Sequence, residues 1–424
     1  MPRPVHVCHV ITLLELGGAQ ENTLYTVSHL GERFRPSLVA GPGGLLDDDA
    51  RKLGLPIHFV PSLKRRVSLV LDLAALAALV RIFRRERPDI VHTHSSKAGI
   101  LGRLAARLAR VPRVVHTIHG YGFNATRTVL ARGTFIALER LASRLTDRLI
   151  AVSRANIEQG VALGLFAPER VTLIRSGVPL AAFEAAARST SRGGRDGLRR
   201  ELGLPEDAPL VGMIACLKPQ KAPLTFLEVA ARVLRDIPGA TFLVAGDGEL
   251  RADVERRAAE LGLNGHLRLL GWRRDVPEVM ASLDVLLHTS LWEGLPRVLP
   301  EAIASGVPIV ATSVDGTSEI LRDGRTGIVR SPGDVEGLAA GVARLLHDRS
   351  YARALTERAR SILAEFDIDA MVRDQERLYL ELMEEGRSEP GASSQRPTPI
   401  NNDERSGAVG RGSFASDAPF ITSC

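Results

Sequence analysis

Residues 290–321 read SLWEGLPRVLPEAIASGVPIVATSVDGTSEIL, and this run sets the architecture. The segment VLLHTS that leads into it (285–290) has the composition of a strand. RVLPEAIAS (297–305) has helical character, and PIVATS (308–313) is a second β-branched run. Strand, helix and strand in so few residues describe a βαβ crossover, the connection that parallel strands require. Pro300 is tolerable only near the first turn of that helix, which sets its start close to Arg297. A parallel sheet is covered on both faces, so strands and helices should alternate on either side of this run.

They do. In the second half, strands PLVGMIACL (209–217), ATFLVAG (240–246) and HLRLLG (266–271) alternate with helices at 223–236, 250–262 and 276–283, and a helical region covers 334–385. The first half opens with VHVCHVI (5–11), a Gly17-Gly18 turn and a helix near 19–30. It continues through strands PSLVAG (36–41), PIHFV (56–60), DIVHTH (89–94), RVVHTIH (113–119), RLIAVS (148–153) and RVTLIRSGV (170–178). At 424 residues and 45.8 kDa the chain is too long for one ordinary core. The expected fold class is α/β, with two Rossmann-like doubly wound parallel sheets facing a central crevice. The expected division is a domain at 1–185, a linker at 186–207 around STSRGGRDG (189–197), and a second domain at 208–365. A C-terminal helix at 366–385 would cross back to the first domain, and the Ser-, Pro- and Gly-rich 386–424 reads as a disordered tail.

Composition narrows the class. Hydrophobic residues make up 45% and charged residues 25%, the profile of a soluble enzyme. Cys8, Cys216 and Cys424 are few, odd in number and widely spaced, which argues against a disulfide framework or a cysteine zinc site and suits a reducing cytosol. The first apolar run is short and is broken by His9 and Glu15, so it reads as a strand and not as a signal peptide. No stretch has the roughly 18 apolar residues of a membrane span. A cytoplasmic protein is expected. The net charge of +6 divides into +12 over residues 1–188 and −6 over the remainder. Lys64-Arg65-Arg66, Arg84-Arg85-Glu86-Arg87 and Arg103/Arg107/Arg110 read as solvated helix faces. Alternatively they touch an anionic bilayer at the inner face of the cell membrane, where each nearby cation contributes about 1 kcal/mol. Aromatic residues are only 4% and do not interleave with the basic runs, which speaks against nucleic acid as a partner.

Glu293 falls on a loop with Gly294 and Pro296, and Glu301 falls inside the helix. Backbone amides at Gly294, Leu295 and the helix start would be free, and the helix dipole favours an anion there. A pyrophosphate flanked by hydroxyl-bearing sugars suits this arrangement; the plain alternative is two surface glutamates. Lys218-Pro219-Gln220-Lys221 follows a strand, and clustered cations can neutralise a departing diphosphate without a metal. Gly17-Gly18 opens a helix and permits close backbone approach, either to a phosphate or merely to make a tight turn. His92, His94, His116 and His119 end two neighbouring strands. They lack a carboxylate or cysteine at ligand spacing, so no metal site and no cofactor is expected, and His92 and His116 read as core residues. Asp47-Asp48-Asp49 reads as a helix cap. Gly246-Asp247-Gly248 lacks a dinucleotide fingerprint and counts against a nicotinamide enzyme.

The run Glu293-Gly-Leu-Pro…Pro-Glu301-Ala-Ile-Ala-Ser-Gly-Val-Pro resembles the large retaining glycosyltransferase family of the GT-B fold (family 4-like, group 1), whose signature is Glu, seven residues, Glu. Val314-Asp315-Gly316, Glu319-Ile320 and Asp323-Gly324-Arg325-Thr326-Gly327 continue the likeness, which spans roughly residues 3–385. The resemblance implies a nucleotide-diphosphate sugar donor, with a UDP-sugar favoured. Glu301 would hold the ribose hydroxyls, Glu293 the transferred sugar, and the 294–295 backbone the diphosphate. Lys221 matches the family's lysine. Cys216 stands where an arginine is usual and Ala222 where a glycine is, so Lys218 is left to supply the missing charge. His119, in His119-Gly120-Tyr121-Gly122-Phe123, would hydrogen-bond the donor sugar. Gly18, Ser290 and Arg273 would line the donor side, and Gly17, His94 and Ser95 the acceptor side. The acceptor would be a hydroxyl of a glycan or lipid-linked molecule in envelope or exopolysaccharide synthesis, attacking from the departing group's own face. A nucleotide-sugar epimerase of the same fold and a non-catalytic nucleotide-sugar-binding protein are the alternatives.

Overall fold

A computed structural model describes residues 3–121, 128–189, 195–205 and 207–385. Gly122, Phe123, the middle of the expected linker and the expected 386–424 tail lie outside the described residues.

In chain order the first seven strands are β1 (Val5–Leu13), β2 (Phe34–Gly41), β3 (Ile57–Phe59), β4 (Ile90–His94), β5 (Arg113–Ile118), β6 (Arg148–Ala151) and β7 (Val171–Leu173). They form one parallel sheet in the order β3-β2-β1-β4-β5-β6-β7. The next six are β8 (Leu210–Ile214), β9 (Thr241–Ala245), β10 (Leu267–Gly271), β11 (Val285–His288), β12 (Ile309–Thr312) and β13 (Ile328–Arg330). Their order is β10-β9-β8-β11-β12-β13, again all parallel. Both sheets are doubly wound. The strand order reverses at β1/β4 and at β8/β11, and ligands of such sheets bind beyond the carboxyl ends of these strands. The two reversal points face each other, so both sheets direct their functional loops into one crevice. This is the GT-B arrangement.

Helices cover each sheet because central strands such as β4 and β8 are buried along their whole length. The crossing helix Ile368–Glu385 completes the first sheet and not the second. Its Met371, Val372, Leu378, Tyr379 and Leu382 form one core with Val7, Ile90, Val115 and Ile150. The Tyr379 ring is fully buried, and its hydroxyl bonds His92 Nδ1 at 2.6 Å. The chain passes between the domains near Val178 and returns near Asp367, and the two passages are bonded to each other: Val178 N donates to Phe366 O at 2.8 Å and Ile368 N to Val178 O at 3.2 Å.

Several local expectations differ. The flanks of the expected linker are helical, Leu180–Ser189 and Arg195–Glu201, and Phe183 and Leu198 enter the core of the second domain. Apolar residues at helical spacing prevail there over the polar run beside them. Helix Arg154–Ala162, capped by the Ser153 hydroxyl accepting from Asn156 N at 3.2 Å, and strand β13 are also present without being foreseen. Asp47–Asp49 do not cap their helix. Leu46 precedes it, the three aspartates fill its first turn, and Asp49 pairs with Arg274 of the other domain at 3.1 Å. Within the basic run 103–110, Arg103 is fully buried against Glu139 at 2.7 Å and Arg107 pairs with Asp147 at 3.0 Å, so neither is a free solvated cation. No helix among the described residues is long and apolar enough to cross a membrane.

The Tyr379 anchor gives a direct stability test. Tyr379→Ala should lower the unfolding free energy by about 3–5 kcal/mol, the usual cost of emptying a buried aromatic site. Urea titration of the full chain measures it, and an unchanged midpoint would refute the anchoring role.

Candidate active site

Two adjoining cavities occupy the crevice, about 580 Å³ and 870 Å³ in volume. Gly17, Gly18, Cys216, Lys218, Lys221 and Leu295 line the smaller one. Ser95, Tyr121, Phe135, Asn156 and Trp292 line the larger. His119, Gln220, Glu293 and Gly294 border both. Glu293 is therefore at the junction, on the loop after β11.

Its carboxylate is tightly held. Oε1 accepts from Ser290 Oγ at 2.6 Å and pairs with Lys221 Nζ, and His288 Nε2 stands 3.4 Å away. Gln220 Nε2 donates to Oε2 at 3.4 Å, and the Glu293 amide donates to Asp315 at 2.7 Å. Burial alone would raise the pKa of Glu293; the Lys221 charge and His288 outweigh it and hold the group far below the ordinary carboxylate range. Glu293 is thus a fixed anion and cannot serve as a proton donor near neutral pH. The lysine loop is tied to the same segment, with Leu291 N donating to Gln220 O at 2.8 Å and Thr289 Oγ1 to Lys221 O at 2.9 Å.

Glycine is required where the loops meet. A side chain at Gly294 would place its first carbon 2.0 Å from His119 O, and one at Gly316 would sit 2.6 Å from Gly294 O. Loops after β5, β11 and β12 therefore touch backbone to backbone, and any larger residue at 294 would force the two domains apart.

Arg297, at the head of helix Val298–Ala304, is a cavity-lining residue that sequence reasoning passed over. Its Nε donates to Gly177 O at 3.0 Å, and Nη1 donates to Glu21 at 2.7 Å and approaches Gly18 O at 3.5 Å. Nη2 stands 3.9 Å from Glu301. The signal was available: Arg297 is the lone cation in a run of wholly buried residues, and a buried charge needs partners. Its hydrogen-bond partners, however, come from the other domain. Glu301 itself is 0% exposed and lies beneath the cavity wall, so the structure does not bring the two glutamates to one surface.

Comparison with known proteins fits this geometry. Residues 16–182 match the profile described as Glycosyltransferase Family 4, and residues 194–362 match Glycosyl transferases group 1. The UDP-Gal:alpha-D-GlcNAc-diphosphoundecaprenol alpha-1,3-galactosyltransferase of Escherichia coli is 34% identical over 353 residues, covering 81% of this chain and 89% of that one. The chain belongs to the family 4-like, group 1 glycosyltransferases. A GDP-mannose-dependent alpha-mannosyltransferase of Mycobacterium tuberculosis (strain CDC 1551 / Oshkosh) is 30% identical over 355 residues, 81% of this chain and 88% of the relative. HepE of Anabaena, solved with UDP and glucose, shares the fold with a TM-score of 0.76 at 22% identity, over 89% of this chain and 100% of that one.

Other expected site residues of this glycosyltransferase are placed less simply. Gly17, Gly18, Lys218, Lys221, Gly294 and Leu295 all line the smaller cavity, and Ser95 lines the larger. Ser290 is buried and acts on Glu293 without reaching the cavity itself. Arg273 is turned away, bound to Glu201 at 2.6 Å and Asp275 at 2.6 Å, while Trp272 beside it lines the smaller cavity. His94 stands behind His119, its Nδ1 3.2 Å from His119 Nε2, and not on the wall of the larger cavity.

His94 also bonds His9 Nδ1 at 3.0 Å, and His9 pairs in register with His92 across β1 and β4. His9, His92 and His94 offer ring nitrogens within 4.8 Å of one another, a grouping that could hold a metal. Both nitrogens of His92 and of His94 are engaged, His92 with Tyr379 and Thr117 and His94 with His9 and His119, so an ion would have to displace hydrogen bonds. His116 is buried and stands 2.9 Å from Thr93 Oγ1, and it also lines the larger cavity. Burial lowers the pKa of every one of these rings, to about 3 for His9 and, with help from the Arg297 charge, to about 4 for His119.

These rings titrate below their ordinary 6.5 when folded, so the unfolded chain binds more protons in acid. The stability they give is complete above pH 6.5 and is lost as pH falls toward about 4 for His119 and about 3 for His9. Each group contributes a slope of up to about 1.4 kcal/mol per pH unit. Urea midpoints should therefore drop sharply between pH 7 and pH 5, and equal midpoints would contradict the neutral cluster.

Proposed function

We propose that this glycosyltransferase moves a sugar with retention from a nucleoside-diphosphate donor, a UDP-sugar in first place, to a hydroxyl of a glycan or lipid-linked acceptor. The observation that carries this reading is the Lys221–Glu293 pair at the junction of two cavities. Donor diphosphate would lie in the smaller cavity against Lys221, Lys218 and the backbone at Gly18, Gly294 and Leu295. The acceptor would enter the larger cavity past Ser95, with Gly17 beside it. Glu293 and His119 would face the transferred sugar between them, with His94 supporting His119.

In the proposed reaction the bond from the anomeric carbon to the diphosphate oxygen breaks as the acceptor oxygen bonds that carbon from the same face. The acceptor's proton passes to the departing diphosphate. Lys221 and Lys218 would stabilise the charge that develops there, and fixed cations aimed at a developing anion are the strongest help such a site can give. The fixed anion at Glu293 favours a cationic sugar centre and orients its hydroxyls. Glu301 would meet the ribose hydroxyls, which requires the entering donor to uncover it. The relatives named for UDP-Gal and for GDP-mannose support a nucleotide-sugar donor while differing in base.

A thermal-shift panel of UDP-, GDP- and ADP-sugars should show stabilisation by one base, with the UDP series expected. Lys221→Ala should then lower kcat/KM by about 10²- to 10³-fold, as loss of one donor to a developing oxyanion does. Donor conversion without any acceptor would favour an epimerase, and binding without turnover a sensor; either result would displace this reading.

We also propose a peripheral contact of the first domain with an anionic bilayer in the cytoplasm. Val67, Leu69 and Val70 are strongly exposed next to Arg66, an apolar and basic edge suited to a lipid surface. Co-sedimentation with phosphatidylglycerol vesicles should exceed that with phosphatidylcholine and fall with salt; equal recovery would exclude it.

A further inference from the structure

The cations of the smaller cavity are largely paired already. Lys221 is balanced by Glu293, with side chains 18% and 6% exposed, and Arg297 by Glu21, with both 5% exposed. Lys218 has no ion pair among the described residues, and one ammonium cannot balance a diphosphate. A fourth cation comes from the opposite wall. Arg65 lines the same cavity and pairs with Glu15, a pair 60% and 35% exposed. An exposed pair of this kind is close to neutral in energy, whereas opening a buried one leaves an uncompensated charge. Arg65–Glu15 is thus the pair that can open for an incoming anion.

Its position is fixed by the backbone around it. Leu63 is fully buried with its amide on Val60 O at 2.9 Å, Lys64 Nζ reaches Pro42 O at 3.5 Å, and Lys97 holds Arg66 O. Glu15 adjoins Leu16, whose carbonyl accepts from Cys216 Sγ at 3.5 Å. Burial pushes the Cys216 thiol up, Lys218 and Lys221 pull it down and Glu15 raises it, so all three charges reach this one neutral side chain. Arg65, the partner of Glu15, thus lines the same cavity as Cys216, Lys218 and Lys221.

We infer that Arg65, contributed by the first domain, is a ligand of the donor diphosphate, exchanging Glu15 for phosphate oxygens and supplying the charge that Cys216 lacks. This rests on the nucleoside-diphosphate reading of the smaller cavity. A guanidinium offers two parallel donors to a phosphate, which an ammonium cannot match. The exchange also makes a first-domain side chain sense the donor held by the second domain.

Calorimetry with UDP and GDP, and with uridine and guanosine as phosphate-free probes, tests it. Arg65→Ala should weaken the preferred diphosphate about tenfold and leave the matching nucleoside unchanged. Cys216→Arg in the Arg65→Ala background should recover most of the loss, because the charge returns beside the same phosphates. Undiminished diphosphate binding by Arg65→Ala would overturn the assignment, and so would an equal loss for the nucleoside or a failure of the arginine at 216 to restore binding. If the unsubstituted chain binds neither UDP nor GDP, the donor reading falls and this one with it. If it binds one and Arg65→Ala binds it equally well, only this one falls.

Discussion

The guanidinium of Arg297 joins everything that must be aligned. One planar group reaches Glu21 in the first domain, the Gly177 carbonyl at the passage between domains, and Glu301 one turn along its own helix. The Arg297–Glu21 pair is buried on both sides, so removing Glu21 from beneath the guanidinium would cost about 3–5 kcal/mol. The contact also accounts for the small residue at Gly18, where an added carbon would lie 2.8 Å from Arg297 Cδ. The Gly17-Gly18 turn and the Glu293 loop are consequently held in register from opposite sheets by a single side chain.

Around that clamp the site separates charge from neutrality. Carboxylates and cations occur as pairs at the cavity walls, where Lys221–Glu293 and Arg65–Glu15 differ mainly in how much water reaches them. Behind the walls a set of imidazoles is kept uncharged by burial, from His9 through His94 to His119. A neutral ring at His119 can hydrogen-bond a hydroxyl without adding positive charge to the cavity wall. Neutral histidines and a permanent carboxylate are thus two parts of one electrostatic arrangement.

Much of this was legible in the sequence, because two-sided burial of parallel strands writes long apolar runs and amphipathic helices between them. Glu293, Lys218, Lys221, Gly17, Gly18 and Gly294 were readable as crevice residues because strand-end loops of such sheets converge on the crevice. What stayed hidden depends on partners distant in sequence. His9 joins His92 only through the β1–β4 register, and Arg297 is explained only by Glu21 and Gly177. β13 is three residues long, too short to show a period. Arg273 looked like a cavity residue because it follows a strand, yet local aspartate and glutamate partners turn it aside. The helices at 180–189 and 195–201 were masked by the Gly- and Ser-rich run between them.

The double passage between the domains ties them to each other at one place. Gly177 has no room for a side chain, since an added carbon would lie 2.5 Å from Ile368 Cα, and Val178 bonds Phe366 and Ile368 of the returning segment. Two backbone segments bonded at one place permit rotation about that place and little sliding. Arg297 holds the Gly177 carbonyl, so the pivot is tied directly to the helix that follows Glu293.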